Sequence, residues 1–249
     1  MTENNEGTRI NQYLSRAGIC SRRQADALIA EGRVRVNGQI AELGTKVSPT
    51  DVVFLEDRNV SAEKAPEALY IALNKPRGVV CTTDLREPDN IVDYLNFEER
   101  IFPIGRLDKD SSGLILLTND GSIVNRILRA QFGHEKEYVV RVDQKITPEF
   151  LKKMRGGVPI LDTMTKPCKV QQISEDEFRI ILTQGLNRQI RRMCEYLNYR
   201  VLRLKRIRVM HITLGRMQIG EWRKLSYKEL NELENLLQKA EAKSREYEF

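Results

Sequence analysis

The residues with most chemical promise lie in one short stretch, Gly105-Arg106-Leu107-Asp108-Lys109-Asp110-Ser111-Ser112-Gly113. A carboxylate bracketed by glycines, in a loop between apolar β-type runs at 101–104 and 114–117, is placed to meet a substrate. The same residues also fit an ordinary polar turn, to which Asp110 and Ser111 would belong. A second concentration of chemistry is basic. From Gly185 to Met210 stand Arg188, Arg191, Arg192, Arg200, Arg203, Lys205, Arg206 and Arg208 against one acid, Glu195, so the stretch carries 8 − 1 = +7. The whole chain of 249 residues carries only 41 − 35 = +6. From Arg9 to Asn37, six arginines (Arg9, Arg16, Arg22, Arg23, Arg33, Arg35) face Asp26 and Glu31, giving 6 − 2 = +4. Two clusters this dense point to a polyanionic partner.

Other chemistries lack their residues. Cys20, Cys81, Cys168 and Cys194 show no C-x-x-C spacing and read as reduced thiols of a cytoplasmic protein. His134 and His211 are the only histidines, so no metal site is expected. Neither a Walker loop nor a dinucleotide fingerprint occurs, and no cofactor is expected. No apolar run approaches the ~18 residues of a membrane span, and the first twenty residues are too polar for a secretory signal. Nothing suggests a stable oligomer, so a monomer is the expectation.

The elements that must position these residues fall into two groups. Ile10, Leu14 and Ala17 have helical spacing and Gly18 ends that helix. Ser21 followed by Gln24 is a capping box for a second helix, with Ala25, Leu28 and Ile29 as its apolar face and Gly32 as its stop. Arg22 and Arg23 then sit at its first turn, where backbone amides also attract phosphate. Arg33-Val34-Arg35-Val36 alternates and meets Asn37-Gly38, a hairpin turn, so Val34 and Val36 face the core and Arg33 and Arg35 face away. Residues 57–68 are small, polar and aperiodic, which sets a domain at 1–60, a linker at 61–68 and a second domain at 69–249. In the second domain, β-type runs at 70–73, 79–81, 101–104, 114–117, 137–142, 178–182 and 200–204 mix irregularly with helical patterns at 90–95, 123–129, 148–154, 189–197 and 227–243. That mixture predicts α+β, not a doubly wound parallel sheet.

The S-R-R-x-A-D and G-x-V-x-V-N-G patterns of residues 9–57 resemble the S4 RNA-binding domain, which implies docking on folded RNA. The stretch GRLDKDSSGLILLT resembles motif II of the RsuA branch of the pseudouridine synthases, in which the Asp of G-R-L-D is catalytic. In the same order as in that family follow Leu73-Asn74-Lys75-Pro76-Arg77-Gly78 (motif I), Lys136-Glu137-Tyr138 (K-x-Y), Gln184-Gly185-Leu186-Asn187-Arg188-Gln189-Ile190-Arg191-Arg192-Met193 (motif III) and the segment 202–208. The linking segments are most similar to the RluF type of the branch, which acts on 23S rRNA. A catalytic domain with a mixed, mainly antiparallel sheet flanked by helices is implied.

The resemblance implies isomerisation of a uridine without a cofactor: the C1′–N1 glycosidic bond breaks, the base turns, and C5 is joined to C1′. One ionised carboxylate starts this, as nucleophile at C1′ or as base at C2′. By resemblance that group is Asp108. Burying an unpaired carboxylate costs several kcal/mol, so a cation must accompany it. The matching family position is Arg191. Tyr138 matches the catalytic tyrosine that stacks on the uracil and takes the C5 proton late in the reaction, and Leu204 the apolar residue on the other side of the base. The target must leave its stack, and Arg106 matches the residue that fills the vacated space or grips the backbone. Lys75 reads as a supporting residue at a strand end by the cleft. Arg22, Arg23, Arg33, Arg35, Arg188, Arg203, Lys205, Arg206 and Arg208 are the expected RNA contacts. The substrate expected is 23S rRNA or an assembly precursor, with tRNA as a secondary target. A non-catalytic rRNA-binding or ribosome-assembly factor on the same fold is the alternative.

Overall fold

The chain forms two units, Met1–Ala68 with Glu98–Arg100 and Leu69–Phe97 with Ile101–Phe249. The computed structural model describes residues 7–61 and 66–246. In the first unit, helices α1 (Ile10–Arg16) and α2 (Arg22–Ala30) pack Ile10, Leu14, Ala25 and Ile29 against Val34 and Val53 of a small sheet. The capping box forms: Ser21 Oγ accepts the Gln24 N–H and Gln24 Oε1 accepts the Ser21 N–H. Strand Val34–Val36 turns at Asn37 and Gly38, both at positive φ, into Gln39–Ile40. Val53–Leu55 pairs with Val34–Val36 on its other side. The polar stretch from 57 onward does not begin as a linker, because Arg58–Asn59 pairs with Val53–Leu55 as a fourth strand. Of the expected linker at 61–68, residues 62–65 lie outside the described residues.

The second unit is built on one nine-stranded sheet. Its strands are β1 (Tyr70–Lys75), β2 (Phe102–Ile104), β3 (Ser112–Thr118), β4 (Lys136–Val142), β5 (Lys169–Gln172), β6 (Glu177–Leu182), β7 (Val201–Val209), β8 (Ile212–Thr213) and β9 (Trp222–Lys224). The order is β5-β6-β4-β7-β3-β1-β9, with β2 beside β3 and β8 beside β7. Pairing is antiparallel except at β7 and β3, which meet parallel through Lys205 with Ser112 and Arg206 with Gly113. The α+β, mainly antiparallel architecture is as expected.

Among the described residues five α-helices cover the sheet: α3 (Ile91–Leu95), α4 (Ser122–Leu128), α5 (Pro148–Gly156), α6 (Gln189–Tyr196) and α7 (Tyr227–Glu246). Every residue of β3 is buried, which is why its sequence reads as a continuous apolar run. Ile115 and Leu117 pack with Ile71, Leu73 and Ile91, while Leu114 and Leu116 pack with Ile123, Ile127, Leu233 and Leu237 of α4 and α7. Val140, Ile180 and Leu204 pack against α5 and α6 through Phe150, Met154, Ile190 and Met193. Tyr138 touches both this cluster and the one around Leu73.

The structure corrects the expected strand at 79–81. Gly78 (φ +93) turns the chain there, and only Val80 bridges, to Asn90. Strands β5, β8 and β9 lay outside the expected set; all three are short, and β5 and β9 lie at the two edges of the sheet. Among the described residues no helix is long and apolar enough to cross a membrane.

Candidate active site

The loop 105–111 leaves β2 and returns through β3. Leu107 is buried between exposed Arg106 and half-buried Asp108. Three anchors fix this loop. The Leu107 N–H reaches Cys81 Sγ at 3.4 Å, the Lys109 carbonyl accepts the Gly78 N–H at 2.9 Å, and the Ser111 N–H closes a turn onto the Asp108 carbonyl at 3.0 Å. Lys75, with 0% exposure, donates its ammonium to the carbonyls of Pro76 at 2.8 Å and Val79 at 2.7 Å and so shapes the turn that holds Lys109. Burial holds the Lys75 ammonium below its ordinary pKa, opposed by the nearby Cys81, Asp108 and Asp110.

Motif III supplies the cations. Arg191 Nε lies 3.7 Å from Asp108 Oδ2, and Arg188 Nη1 lies 3.6 Å from the same oxygen. Arg191 is anchored at its far end: Nη2 donates to the Asp110 carbonyl at 3.3 Å and to Ser111 Oγ at 3.2 Å, and Nη1 to the Val201 carbonyl at 3.5 Å. Its Nε–H is buried without a hydrogen-bond partner and faces the carboxylate just beyond bonding distance. Burial pushes the Arg191 pKa down, as does the Arg188 charge, while Asp108 and Asp110 oppose both. Gln189 and Arg192 turn elsewhere, to Leu186 and Met193 and to Asn187. Sequence reasoning placed Arg188 with the RNA contacts; the structure makes it the second cation on Asp108. Cys81 and Gly78 as anchors had no sequence signal.

Tyr138 of β4 and Arg206 of β7 are opposed, as are Val140 and Leu204, so Tyr138, Leu204 and Arg206 share one face of the sheet. Leu204 is buried there. Arg206 is corrected as an RNA contact: it is 4% exposed and its Nε donates to the Leu114 carbonyl at 2.6 Å. Arg208 is corrected as well. Ile207 is an extra residue in the ladder, since Tyr138 opposes Arg206 while Glu137 opposes Arg208. The bulge sends Arg208 to the opposite face, onto Glu137 at 2.6 Å and Glu135 at 2.9 Å. Arg203 lies on that face too, bound to Glu177 at 2.8 Å. In the first unit Arg33 pairs with Glu31 and Glu56, and Arg35 with the Glu56 carbonyl and Asp57, so their charge is largely answered. Arg22, Arg23, Arg106 and Lys205 bind no other side chain among the described residues.

This site is a partly exposed carboxylate with one oxygen facing two guanidiniums. Comparison with known proteins agrees with it. The family model described as RNA pseudouridylate synthase matches residues 69–196, and that of the S4 domain residues 8–53. A "Dual-specificity RNA pseudouridine synthase RluF" of Escherichia coli (strain K12) is 53% identical over 92% of this chain and 79% of its own length. A "Ribosomal large subunit pseudouridine synthase B" of Bacillus subtilis (strain 168) is 35% identical over 92% of this chain and 96% of its own. A crystal structure of a pseudouridylate synthase superposes with a TM-score of 0.66 at 28% identity, covering 92% of this chain and all of the other. The ordered motifs, the carboxylate loop and these matches agree, and the chain belongs to the RNA pseudouridylate synthase family as an RNA pseudouridine synthase with an S4 domain.

Proposed function

We propose that the enzyme isomerises a uridine of large-subunit (23S) rRNA, with tRNA as a second substrate, as a cytoplasmic monomer, and that Asp108 starts the reaction. The observation that carries the mechanism is Asp108 itself: a carboxylate 33% exposed, on a loop pinned at both neighbours, with two arginines on Oδ2. That arrangement engages Oδ2 and leaves Oδ1 for the sugar. The name of the Bacillus subtilis relative favours large-subunit ribosomal RNA, and "dual-specificity" in that of the Escherichia coli relative favours a second RNA class.

The flipped uridine would lie against Tyr138 and Leu204, with C1′ toward Asp108. The carboxylate attacks C1′ or removes the C2′ proton, and the C1′–N1 electron pair leaves with the uracil. The uracil anion turns while sandwiched, and C5 bonds to C1′ as the Asp108–C1′ ester bond breaks or the proton taken from C2′ returns; the C5 proton is then lost and N1 gains one. Arg191, fixed by three backbone and hydroxyl acceptors, costs little reorganisation as the carboxylate's charge changes. Arg106 is positioned to reach the strand the uridine leaves.

Carbodiimide mapping of 23S rRNA and tRNA transcripts after incubation with the enzyme tests the reading. New stops in the rRNA are expected, with none after incubation with Asp108→Asn, which still binds the RNA. Turnover by Asp108→Asn would sink the assignment of Asp108, and stops confined to tRNA would sink the ribosomal substrate.

A further inference from the structure

Arg188 and Arg191 share one carboxylate oxygen but are held very differently. Arg191 has a side chain 15% exposed and three acceptors of its own. Arg188 has a side chain 43% exposed, and among the described residues its guanidinium makes no hydrogen bond; the 3.6 Å pair with Asp108 is its one ionic contact. It stands at the entry to α6 in the left-handed region, φ 49 and ψ 33, with no side-chain cap. A single residue there aims the side chain away from the helix and back over the 105–111 loop. The charges do not balance either: two guanidiniums meet one shared carboxylate, and Arg77, though exposed, is close enough to add to the positive potential at Arg191.

We propose that Arg188 is an exchangeable counter-ion, paired with Asp108 in the free enzyme and passed to a phosphodiester of the bound RNA strand beside the target uridine. This rests on the reading of the site as one that acts on a uridine in RNA. The phosphate supplies the negative charge the pair of arginines lacks, and a guanidinium binds it through paired N–H donors. Departure of Arg188 leaves Asp108 with the anchored Arg191 alone, so the carboxylate becomes a stronger nucleophile or base only once RNA is in place. Arg188 is thus a positioning residue for both the strand and the carboxylate. Of the other charged groups near Asp108, Lys75 of β1 and Arg191 of α6 are held by acceptors of their own, Asp110 carries the same sign of charge, and exposed Arg77 makes no ion pair with Asp108 among the described residues.

Two measurements test it, with Arg188→Asn, which tolerates a left-handed backbone, and Arg188→Lys, which keeps a charge. Transcripts of 23S rRNA and tRNA are first assayed with the wild type by tritium release, which decides the proposed substrates separately; the transcript that turns over is then the probe. In the Asp108→Asn background, where binding proceeds without turnover, Arg188→Asn should lower the magnitude of the log Kd against log salt slope by about 0.7–0.9, and Arg188→Lys should restore it. In the active background the split between KM and kcat separates the two states of Arg188. An arginine that has already left Asp108 in the complex adds to binding and not to the chemical step, so Arg188→Asn should raise KM and leave kcat nearly unchanged, and Arg188→Lys should recover most of the affinity. An unchanged salt slope, or a loss that falls on kcat, would overturn the exchange.

Discussion

Gly113 and Arg206 are Cα partners across the parallel contact of β3 and β7, and no side chain fits between them. A Cβ on Gly113 would lie 2.7 Å from the Arg206 nitrogen and closer still to its carbonyl oxygen. With φ at +104, Gly113 also occupies backbone space that other residues rarely adopt. This contact joins the half of the sheet that carries Tyr138 and Leu204 to the strand that ends the Asp108 loop. Backbone approach there sets how far Tyr138 and Leu204 stand from the Asp108 loop.

Gly113→Ala therefore should destabilise the catalytic unit by about 3 kcal/mol or more, from overpacking against backbone together with the positive φ. Calorimetry should show its transition fall by roughly 6 °C or more. Gly156→Ala is the control. That glycine ends α5, faces open space and has no positive φ, so alanine there should be neutral or gain up to about 1 kcal/mol. Equal transitions for Gly113→Ala and wild type would mean that the strands can part without cost.

Arg191→Lys keeps a positive charge but not the planar fork that reaches Val201, Asp110 and Ser111 at once. An ammonium can answer only part of that set, and its position against Asp108 becomes loose. Single-turnover tritium release should slow by about 10²-fold, while RNA affinity changes little because the side chain is mostly buried. An affinity loss matching the rate loss would make Arg191 a strand contact instead.

Local signals carried far in this chain. Ser21 with Gln24, Asn37-Gly38 and the glycines around Asp108 each encode a short-range geometry, and each appears as read. What the sequence hid is set by partners distant along the chain. Alternation along β7 puts Leu204, Arg206 and Arg208 on one face, but the extra residue Ile207 reverses Arg208, and a bulge has no signature in a run of alternating basic and apolar residues. The +7 of residues 185–210 likewise looked like one strip. In the fold Arg188, Arg191, Arg200, Arg203 and Arg208 each meet a carboxylate from elsewhere, and a sum along the chain cannot see Asp108, Asp143, Glu177, Glu135 or Glu137. The anchors Cys81 and Gly78 escaped for the same reason.

Lys136 gives a pH-dependent test of burial near the site. Desolvation, reinforced by Arg206, lowers its pKa from 10.5 to about 8. The folded state then binds fewer protons than the unfolded state between about pH 8 and 10.5, so stability rises with pH across that window, and below it the full penalty applies. Lys136→Met removes the penalty. The variant should melt higher than wild type at pH 7, by an amount on the order of 1–3 kcal/mol, and the gap should close as the pH approaches 10.5. A gap constant with pH would locate the effect in packing, not charge.

The back face of the sheet and the α2 terminus should respond oppositely to charge removal. Arg22 and Arg23 are exposed and bind no other side chain among the described residues, so their guanidiniums are available to phosphate. Arg22→Gln with Arg23→Gln should weaken RNA binding and cut the log–log salt slope by about 0.7–0.9 for each phosphate no longer neutralised. Arg208→Gln should leave that slope alone, because Arg208 is committed to Glu135 and Glu137 and lies on the face away from Tyr138. Its cost is structural: Glu137, whose side chain is mostly buried, keeps only Arg179 at 3.4 Å as a partner. Thermal unfolding should register a loss of about 1–3 kcal/mol. A salt slope lowered by Arg208→Gln, with stability intact, would return that arginine to the RNA footprint.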